Sequence, residues 1–146
     1  MKTNTIELYI HIPFCKSKCR YCDFCSFRAE EETIHAYLGK LKEELIFWGK
    51  KLAARDVVTV FIGGGTPSYL RREDIQMICE TIFEHFHICE DAEITIEANP
   101  GTVDLKKLCT YRENGINRIS FGLQSTVKEE LEYLGRIHTY EEFLQS

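Results

Sequence analysis

The sequence predicts an α/β fold, a partial (β/α) barrel of the TIM type with about four βα units. Four strand-like segments alternate with segments of helical periodicity, and three of those strands alternate apolar with polar side chains. Alternation of strands and helices is typical of a parallel sheet with helical crossovers. A parallel sheet covered on both faces has continuously apolar strands, so the polar face indicates a lumen that holds a ligand.

Four strands are predicted in chain order. Residues Ile6 to Ile12 alternate strictly between apolar and polar side chains, which predicts the first strand. The β-branched run from Val57 to Ile62 predicts the second strand, which ends abruptly at consecutive glycines. Glu93 to Ala98 is the third predicted strand, and Ile116 to Phe121 is the fourth.

Helices are predicted between and after these strands. Apolar residues recur at helical spacing from Ile34 to Leu52, and this pattern places Trp48 in the core. Thr139 followed three residues later by Glu142 is a capping box, which predicts the start of another helix. Three shorter helices are predicted at about 72–86, 103–113 and 126–134.

Composition argues against several classes of function. The chain has 146 residues, and no apolar run approaches the ~18 residues of a membrane-spanning helix. The net charge of −5 argues against a general nucleic-acid binder. No secretory signal is visible at the start, so we expect the seven cysteines to occupy a reducing, cytoplasmic compartment.

Three closely spaced cysteines form the main candidate site. Cys15, Cys19 and Cys22 follow a C-x3-C-x2-C pattern in the loop after the first strand. Thiolates at this spacing can hold three irons of a [4Fe-4S] cluster and leave the fourth iron open to another ligand. Two alternatives stay open on spacing alone: a zinc site completed by His11 or Cys25, and a thiol-redox pair of Cys22 with Cys25.

The charge distribution adds to this site. Residues 1–28 carry five Lys or Arg and two Asp or Glu, a balance of +3, whereas the remaining residues have a balance of −8. The basic excess surrounds the cysteine loop, which indicates either a solvated loop or an entrance for an anionic ligand or an acidic electron donor. The other cysteines lie in or beside apolar helical segments and are predicted to be small buried side chains; they are Cys79, Cys89 and Cys109.

Five motifs occur in an order that resembles one known family. They are Tyr9–Phe24, Gly63–Ser68, Ile96–Pro100, Ser120–Ser125 and Leu134–Arg136. The sequence resembles the radical S-adenosylmethionine (SAM) enzymes and, within them, the oxygen-independent coproporphyrinogen III oxidase family. The resemblance implies that SAM chelates the open iron and that an electron from the cluster cleaves SAM into methionine and a radical that abstracts hydrogen. It also implies a reduced flavodoxin- or ferredoxin-type electron donor.

The resemblance further implies a set of SAM contacts. Gly64 and Gly65 have no side chains, so backbone groups can approach the methionine part of SAM. The lumen carboxylate of Glu97 suits two ribose hydroxyls, and the Arg136 guanidinium suits a carboxylate. The full implied set is Tyr9, Tyr21, Gly64, Gly65, Thr66, Glu97, Gln124 and Arg136.

One departure bears on the branch of the family. Phe24 stands where the oxidases have a fourth cysteine, and Cys25 comes one residue later. The stretch Cys22–Phe24 and the stretch Gly135–Thr139 resemble the haem-chaperone branch instead, which retains the cluster and SAM site and binds haem. We expect a haem chaperone of porphyrin metabolism, with His11 as the best candidate for haem ligation or proton transfer. The alternatives are an anaerobic coproporphyrinogen III dehydrogenase, which forms protoporphyrinogen IX, and an inactive fragment.

The length conflicts with a complete barrel. A (β/α)8 barrel needs ~250 residues, whereas this chain has four βα units. The fourth strand would then have an exposed edge. We therefore expect residues 1–146 to be a truncated, amino-terminal portion of a radical SAM domain that lacks later SAM contacts and the substrate region.

Overall fold

Four parallel strands form one sheet in the order in which they occur along the chain. The structure is a computed structural model that describes residues 4–146. The strands are β1 (Thr5–Ile12), β2 (Asp56–Gly64), β3 (His87–Ala98) and β4 (Arg118–Phe121). Helices lie between successive strands, so each parallel pair is joined by a crossover. The predicted α/β fold with four βα units is confirmed.

Five α-helices and one short 3₁₀ turn occur in residues 4–146. They are α1 (Glu31–Lys51), the 3₁₀ turn Pro67–Tyr69, α2 (Arg72–His85), α3 (Leu105–Glu113), α4 (Lys128–Leu134) and α5 (Tyr140–Gln145). The predicted capping box begins α5: the Thr139 hydroxyl accepts from the Glu142 amide, and the Glu142 carboxylate accepts from the Thr139 amide. No helix among these residues is long and apolar enough to cross a membrane.

The core lies between one face of the sheet and helices α1, α2 and α3. Its central members are aliphatic side chains of the strands and of the helix faces opposite them: Ile10, Ile12, Val60, Ile62, Ile94, Ile96, Leu38, Leu41, Leu45, Ile75 and Ile78. Because side chains alternate along a strand, the other face carries polar and aromatic residues. Tyr9, Phe61, Thr95 and Arg118 are register partners across all four strands on that face. This second face is the predicted lumen.

The third strand is longer than predicted, because it begins at His87 rather than at Glu93. Its first residues pair with the start of β2, where Asp56 aligns with His87. The ladder is irregular between Val57 and Thr59, and this interruption separates the early pairs from the later ones. Charged residues between the two paired stretches hide the first of them from a search for alternating apolar residues.

The expectation that Trp48 lies in the core is wrong, because its side chain is 46% exposed. The Lys51 Nζ lies 5.6 Å from its ring centroid. The buried face of α1 instead includes Gly49, where a Cβ atom would lie 2.6 Å from the His85 carbonyl oxygen. The glycine lets α1 and α2 approach closely. The neighbouring Trp48 side chain consequently lies beside this contact and not within it.

The three cysteines outside the loop differ in burial. Cys79 is buried, as predicted, and its burial raises the pKa of the thiol to about 12. Cys89 is half-buried on β3, and Cys109 is exposed, so the prediction is wrong for Cys109. The buried residue of α3 is Tyr111, and Cys109 lies on another side of this helix.

Candidate functional site

A cavity of about 340 Å³ opens where the carboxyl ends of the strands meet the cysteine loop. Every residue proposed from the sequence as a cluster ligand or SAM contact lines it, except Tyr9. Those lining residues are Cys15, Cys19, Tyr21, Cys22, Gly64, Gly65, Thr66, Glu97, Gln124 and Arg136. Carboxyl ends of parallel strands are where α/β folds place their ligands. The structure thus brings together residues that are up to 121 positions apart, from Cys15 to Arg136.

The cysteine loop is closed at its base by a short parallel bridge between Phe14 and Phe27. The Cys15 amide donates to the Phe27 carbonyl at 3.0 Å, and the Cys22 amide donates to the Cys19 carbonyl at 3.2 Å. The buried Phe14 ring packs edge-on against Phe27. These contacts fold the loop back on itself, so all three cysteines line the same cavity.

The glycine turn after β2 forms a cradle for the first of these sulfur atoms. A Cβ atom at Gly65 would lie 2.9 Å from the Cys15 Sγ and 2.7 Å from the Phe14 carbonyl oxygen. Gly64 has a φ of +113°, and a Cβ atom there would lie 2.6 Å from the His11 Nδ1. A side chain at either position would displace the cysteine loop or the β1 end, so the close approach requires glycine.

Two of the three sulfur atoms in the cavity accept a hydrogen bond from a side chain, and the third lies near a hydroxyl. Arg136 Nη1 donates to the Cys19 Sγ at 3.3 Å, and the Thr66 hydroxyl donates to the Cys15 Sγ at 3.5 Å. The Cys22 Sγ lies 4.0 Å from the Ser26 Oγ. Donors of this kind stabilise a thiolate, which is the form of cysteine that ligates metal.

The cysteines of this cavity are compatible with an iron–sulfur cluster. Thiolates that bind a cluster attach to separate irons, whereas structural zinc needs its ligand atoms at about 2.0–2.3 Å from the same ion. Cys15, Cys19 and Cys22 line one cavity, and two of their three sulfurs accept hydrogen bonds. Among residues 4–146, no group of three His, Cys, Asp or Glu side chains is arranged to hold a single ion.

Cys25 and His11, the two residues considered as a fourth ligand, are not among the residues that line the cavity. Cys25 is exposed and is not among the described residues that line the cavity. The His11 Nε2 lies 2.9 Å from the Cys25 carbonyl oxygen, and its Nδ1 lies 3.1 Å from the Tyr9 hydroxyl. A carbonyl only accepts, so Nε2 carries the hydrogen and Nδ1 accepts from Tyr9. Both ring nitrogens of His11 are therefore engaged.

Glu97 is held by the backbone of the glycine turn. The Gly64 amide donates to the Glu97 Oε2 at 2.9 Å. A half-buried carboxylate needs a hydrogen-bond partner of this kind. The other oxygen, Oε1, has no protein donor within residues 4–146, so it is available to a hydroxyl in the cavity.

The two tyrosines of the predicted set differ in position. Tyr21 lines the cavity, and its pKa is raised mainly by burial, with a lowering effect from Arg136 and a raising effect from Cys19. Tyr9 lies on the lumen face, where its ring stacks on Phe61 at 6.1 Å between centroids. Burial, and then the negative charge of Glu97, raise the pKa of Tyr9. Tyr9 thus lies beside the cavity rather than on its wall.

The site also contains residues to which the sequence assigned no role, above all Asn99. Asn99 lies within the Ile96–Pro100 motif, and its side chain lines the cavity and accepts from Arg136 Nη2 at 2.6 Å. Gly122 also belongs to the site, since a Cβ atom there would lie 2.7 Å from the Asn99 Oδ1. A polar residue directly after a parallel strand was the available signal. Gln124 has a φ of +69°, a conformation rare for a non-glycine residue.

The family model of the radical SAM superfamily matches residues 9–146. The chain therefore belongs to the radical SAM superfamily. Within the superfamily it is 44% identical over 139 residues to the heme chaperone HemW of Escherichia coli and 37% identical over 139 residues to that of Bacillus subtilis. It is also 34% identical to the mitochondrial radical S-adenosyl methionine domain-containing protein 1 of Bos taurus.

These matches cover 94–95% of this chain but only 31–37% of the relatives, so the chain spans about a third of their length. The solved structure of coproporphyrinogen III oxidase (HemN) from Escherichia coli superposes with a TM-score of 0.89 at 32% identity. That match covers 97% of this chain and 33% of the oxidase. The predicted resemblance to the coproporphyrinogen III oxidase family and its haem-chaperone branch is confirmed.

Proposed function

We propose that this chain binds one [4Fe-4S] cluster and SAM in the cavity, as a radical SAM haem chaperone. The observation that carries the proposal is the convergence of three thiols, two of which accept hydrogen bonds, a glycine cradle and a backbone-held carboxylate on one cavity. Cys15, Cys19 and Cys22 would hold three irons, and the fourth iron would be open to SAM. When bound, the cluster supplies one-electron chemistry to the sulfonium of SAM.

The walls of the cavity suit the parts of SAM. The backbone of Gly64, Gly65 and Thr66 borders the cysteine loop, where the methionine part would lie beside the cluster. The free Oε1 of Glu97 is an acceptor for a ribose hydroxyl. We assign Gln124 and Tyr21 to contacts around the cofactor because both line the cavity, and Tyr9 to the lumen beside it.

Arg136 has a buried donor that could bind an anionic ligand. Its Nη2 donates to both the Asn99 Oδ1 and the Gly122 carbonyl, so both Nη2 hydrogens are engaged. Its Nε is buried and has no partner among the described residues. A buried donor without a partner is costly, so an acceptor bound in the cavity, such as the SAM carboxylate, would relieve that cost.

Haem delivery is the function we propose beyond the cofactor site. The support is the resemblance to proteins named heme chaperone HemW at 37–44% identity in Escherichia coli and Bacillus subtilis. Oxidation of coproporphyrinogen III is the second candidate, favoured by the TM-score of 0.89 to the oxidase. Phe24 lines the cavity where the oxidases carry a cysteine, which argues for the chaperone. We place the protein in the reducing cytoplasm, with a flavodoxin- or ferredoxin-type donor as its electron source.

The test is anaerobic reconstitution with iron and sulfide, followed by iron analysis of the wild type and of single cysteine variants. We expect about four irons per chain in the wild type and a large loss in Cys15→Ala, Cys19→Ala and Cys22→Ala. Cys25→Ala is the matched control from the same loop and should keep its iron. Equal iron loss in all four variants, or stoichiometric zinc in place of iron, would contradict the cluster assignment.

Two assays of the reconstituted chain then distinguish the two candidate activities. Titration with haem, followed by visible absorption, should show saturable binding. Incubation with coproporphyrinogen III, SAM and a reductant should give no protoporphyrinogen IX. Formation of that product would favour the oxidase, and the absence of saturable haem binding would contradict the chaperone.

A further inference from the structure

A continuous chain of hydrogen bonds joins two of the cavity cysteines through three side chains. Arg136 Nη1 donates to the Cys19 Sγ at 3.3 Å, and Arg136 Nη2 donates to the Asn99 Oδ1 at 2.6 Å. The Asn99 Nδ2 donates to the Thr66 Oγ1 at 3.0 Å, and that hydroxyl donates to the Cys15 Sγ at 3.5 Å. Asn99 is the central link of this chain.

The direction of each hydrogen bond is fixed by the chemistry of the groups. A guanidinium has only donors, so the amide oxygen of Asn99 must face Arg136, and its nitrogen must face Thr66. A hydroxyl that accepts from the amide is free to direct its single hydrogen at the Cys15 sulfur. At each end of this series of hydrogen bonds a hydrogen consequently points at a sulfur. Replacing the Asn99 side chain removes the hydrogen bond to Thr66 and the one to Arg136.

The surroundings hold Asn99 in this position. The backbone amide of Asn99 donates to the Ser68 Oγ at 3.2 Å, and its backbone carbonyl accepts from the Thr102 amide at 3.1 Å. Gly122 leaves the space that the Asn99 Oδ1 occupies, because a Cβ atom there would lie 2.7 Å away. Thr66 is buried, so its hydroxyl has little access to water as an alternative partner.

We propose that Asn99 is a positioning residue that aims the Thr66 hydroxyl and the Arg136 guanidinium at the sulfurs of Cys15 and Cys19. The proposal rests on the proposed function in one respect, because the two sulfurs matter most as cluster ligands. Hydrogen bonds to the sulfurs of an iron–sulfur cluster raise its reduction potential, since they stabilise the extra negative charge of the reduced form. Asn99 therefore acts on the cluster through two other side chains.

The first test measures the reduction potential of the reconstituted cluster. Asn99→Ala and Thr66→Val should each shift the potential to more negative values. The shift in the double variant should be smaller than the sum of the two, because Asn99 acts partly through Thr66. The control is Asn117→Ala: Asn117 bonds the Ile94 amide and the Ala92 carbonyl and is not a lining residue of the cavity. It should leave the potential unchanged.

The second test uses the cluster-free chain, so it is independent of the proposed function. Alkylation of each cysteine, followed by mass spectrometry, should be several-fold slower at Cys15 and Cys19 in Asn99→Ala than in the wild type, because the two sulfurs lose donors that stabilise the reactive thiolate. Cys22 is the internal reference, because the only hydrogen-bond partner of its sulfur among the described residues is the Ser26 hydroxyl. Asn117→Ala should not produce this selective change.

The outcomes separate the two proposals. If the wild type takes up no cluster, the proposed function fails and the alkylation pattern alone decides the role of Asn99. If the cluster forms but Asn99→Ala has the wild-type potential, or if the two shifts add fully, the positioning role is overturned while the cluster site stands. An unselective alkylation pattern overturns it as well.

Discussion

The close approach of Gly65 to the Cys15 sulfur is a tight constraint on a single residue of the site. Gly65→Ala would put a Cβ atom 2.9 Å from that sulfur and 2.7 Å from the Phe14 carbonyl oxygen. Because both neighbours belong to the base of the cysteine loop, we expect Gly65→Ala to displace the loop and lose most of its iron after reconstitution. The measurement is iron per folded chain.

Gly39→Ala is the control for this change. Gly39 lies within α1, and a Cβ atom there has nothing within 4 Å. Alanine in the middle of a helix should raise the free energy of unfolding by about 0.5–1 kcal/mol and leave the iron content unchanged. A Gly65→Ala chain with wild-type iron content would contradict the cradle.

His138 gives a prediction on pH. Its pKa is lowered, first by burial and then by the positive charge of Arg136, and its Nε2 lies 3.1 Å from the Leu123 carbonyl oxygen. The unfolded chain therefore binds more protons than the folded chain as the pH falls below about 6.5. Stability is fully present above that value and decreases as the pH falls towards the lowered pKa.

His138→Gln removes the titrating group and keeps a donor for the Leu123 carbonyl. We expect the melting temperature of the cluster-free wild type to fall more than that of His138→Gln between about pH 7.5 and about pH 5.5. Parallel melting curves of the two chains across this range would show that His138 does not contribute to the pH dependence.

At the residue scale, the sequence predicted the groups that carry chemistry better than the groups that position them. Cys15, Glu97 and Arg136 lie in motifs with a chemical signature, and all three line the cavity. Asn99 also lies in a motif, but its contacts join Thr66 and Arg136, which are far apart in the chain, so the motif alone did not assign it a role. The exposure of Cys109 escaped prediction for a similar reason, because helix periodicity does not settle which side of a short helix is covered.

At the scale of secondary-structure elements, the close contact between α1 and α2 requires a glycine in the same way. Gly49 lets α1 approach the end of α2, since a Cβ atom would lie 2.6 Å from the His85 carbonyl oxygen and 2.7 Å from its Cβ. We expect Gly49→Ala to lower the free energy of unfolding by about 1–3 kcal/mol, because backbone cannot yield as a flexible side chain does. Urea denaturation measures it, with Gly39→Ala in the same helix as the control. An unchanged or raised unfolding free energy would contradict the packing.

The elements themselves were largely predictable. Alternation in β1 and the β-branched run in β2 mark strands, because each reflects one buried face. The start of β3 at His87 was missed because its pairing is interrupted opposite Val57 and Thr59. The position of Trp48 was missed because the glycine contact with α2, and not the apolar character of α1, sets which side of the helix is buried.

At the scale of the whole molecule, the site is assembled from distant parts of the chain. The Arg20 amide in the cysteine loop donates to the Leu134 carbonyl at the end of α4, and Gly135 follows with a φ of +71°. A Cβ atom at Gly135 would lie 2.9 Å from the Arg20 Cγ. The end of α4 thus packs directly on the loop between two proposed iron ligands, so the loop depends on residues more than 100 positions later.

The measurement that tests the central claim most directly is electron paramagnetic resonance of the reduced, anaerobically reconstituted chain, with and without SAM. We expect a cluster signal from the wild type that changes on addition of saturating SAM, because in the proposed function SAM would bind at the iron that has no cysteine. Arg136→Gln should need more SAM for the same change. A wild-type cluster signal that saturating SAM leaves unaltered, or the absence of any cluster signal, would contradict the account.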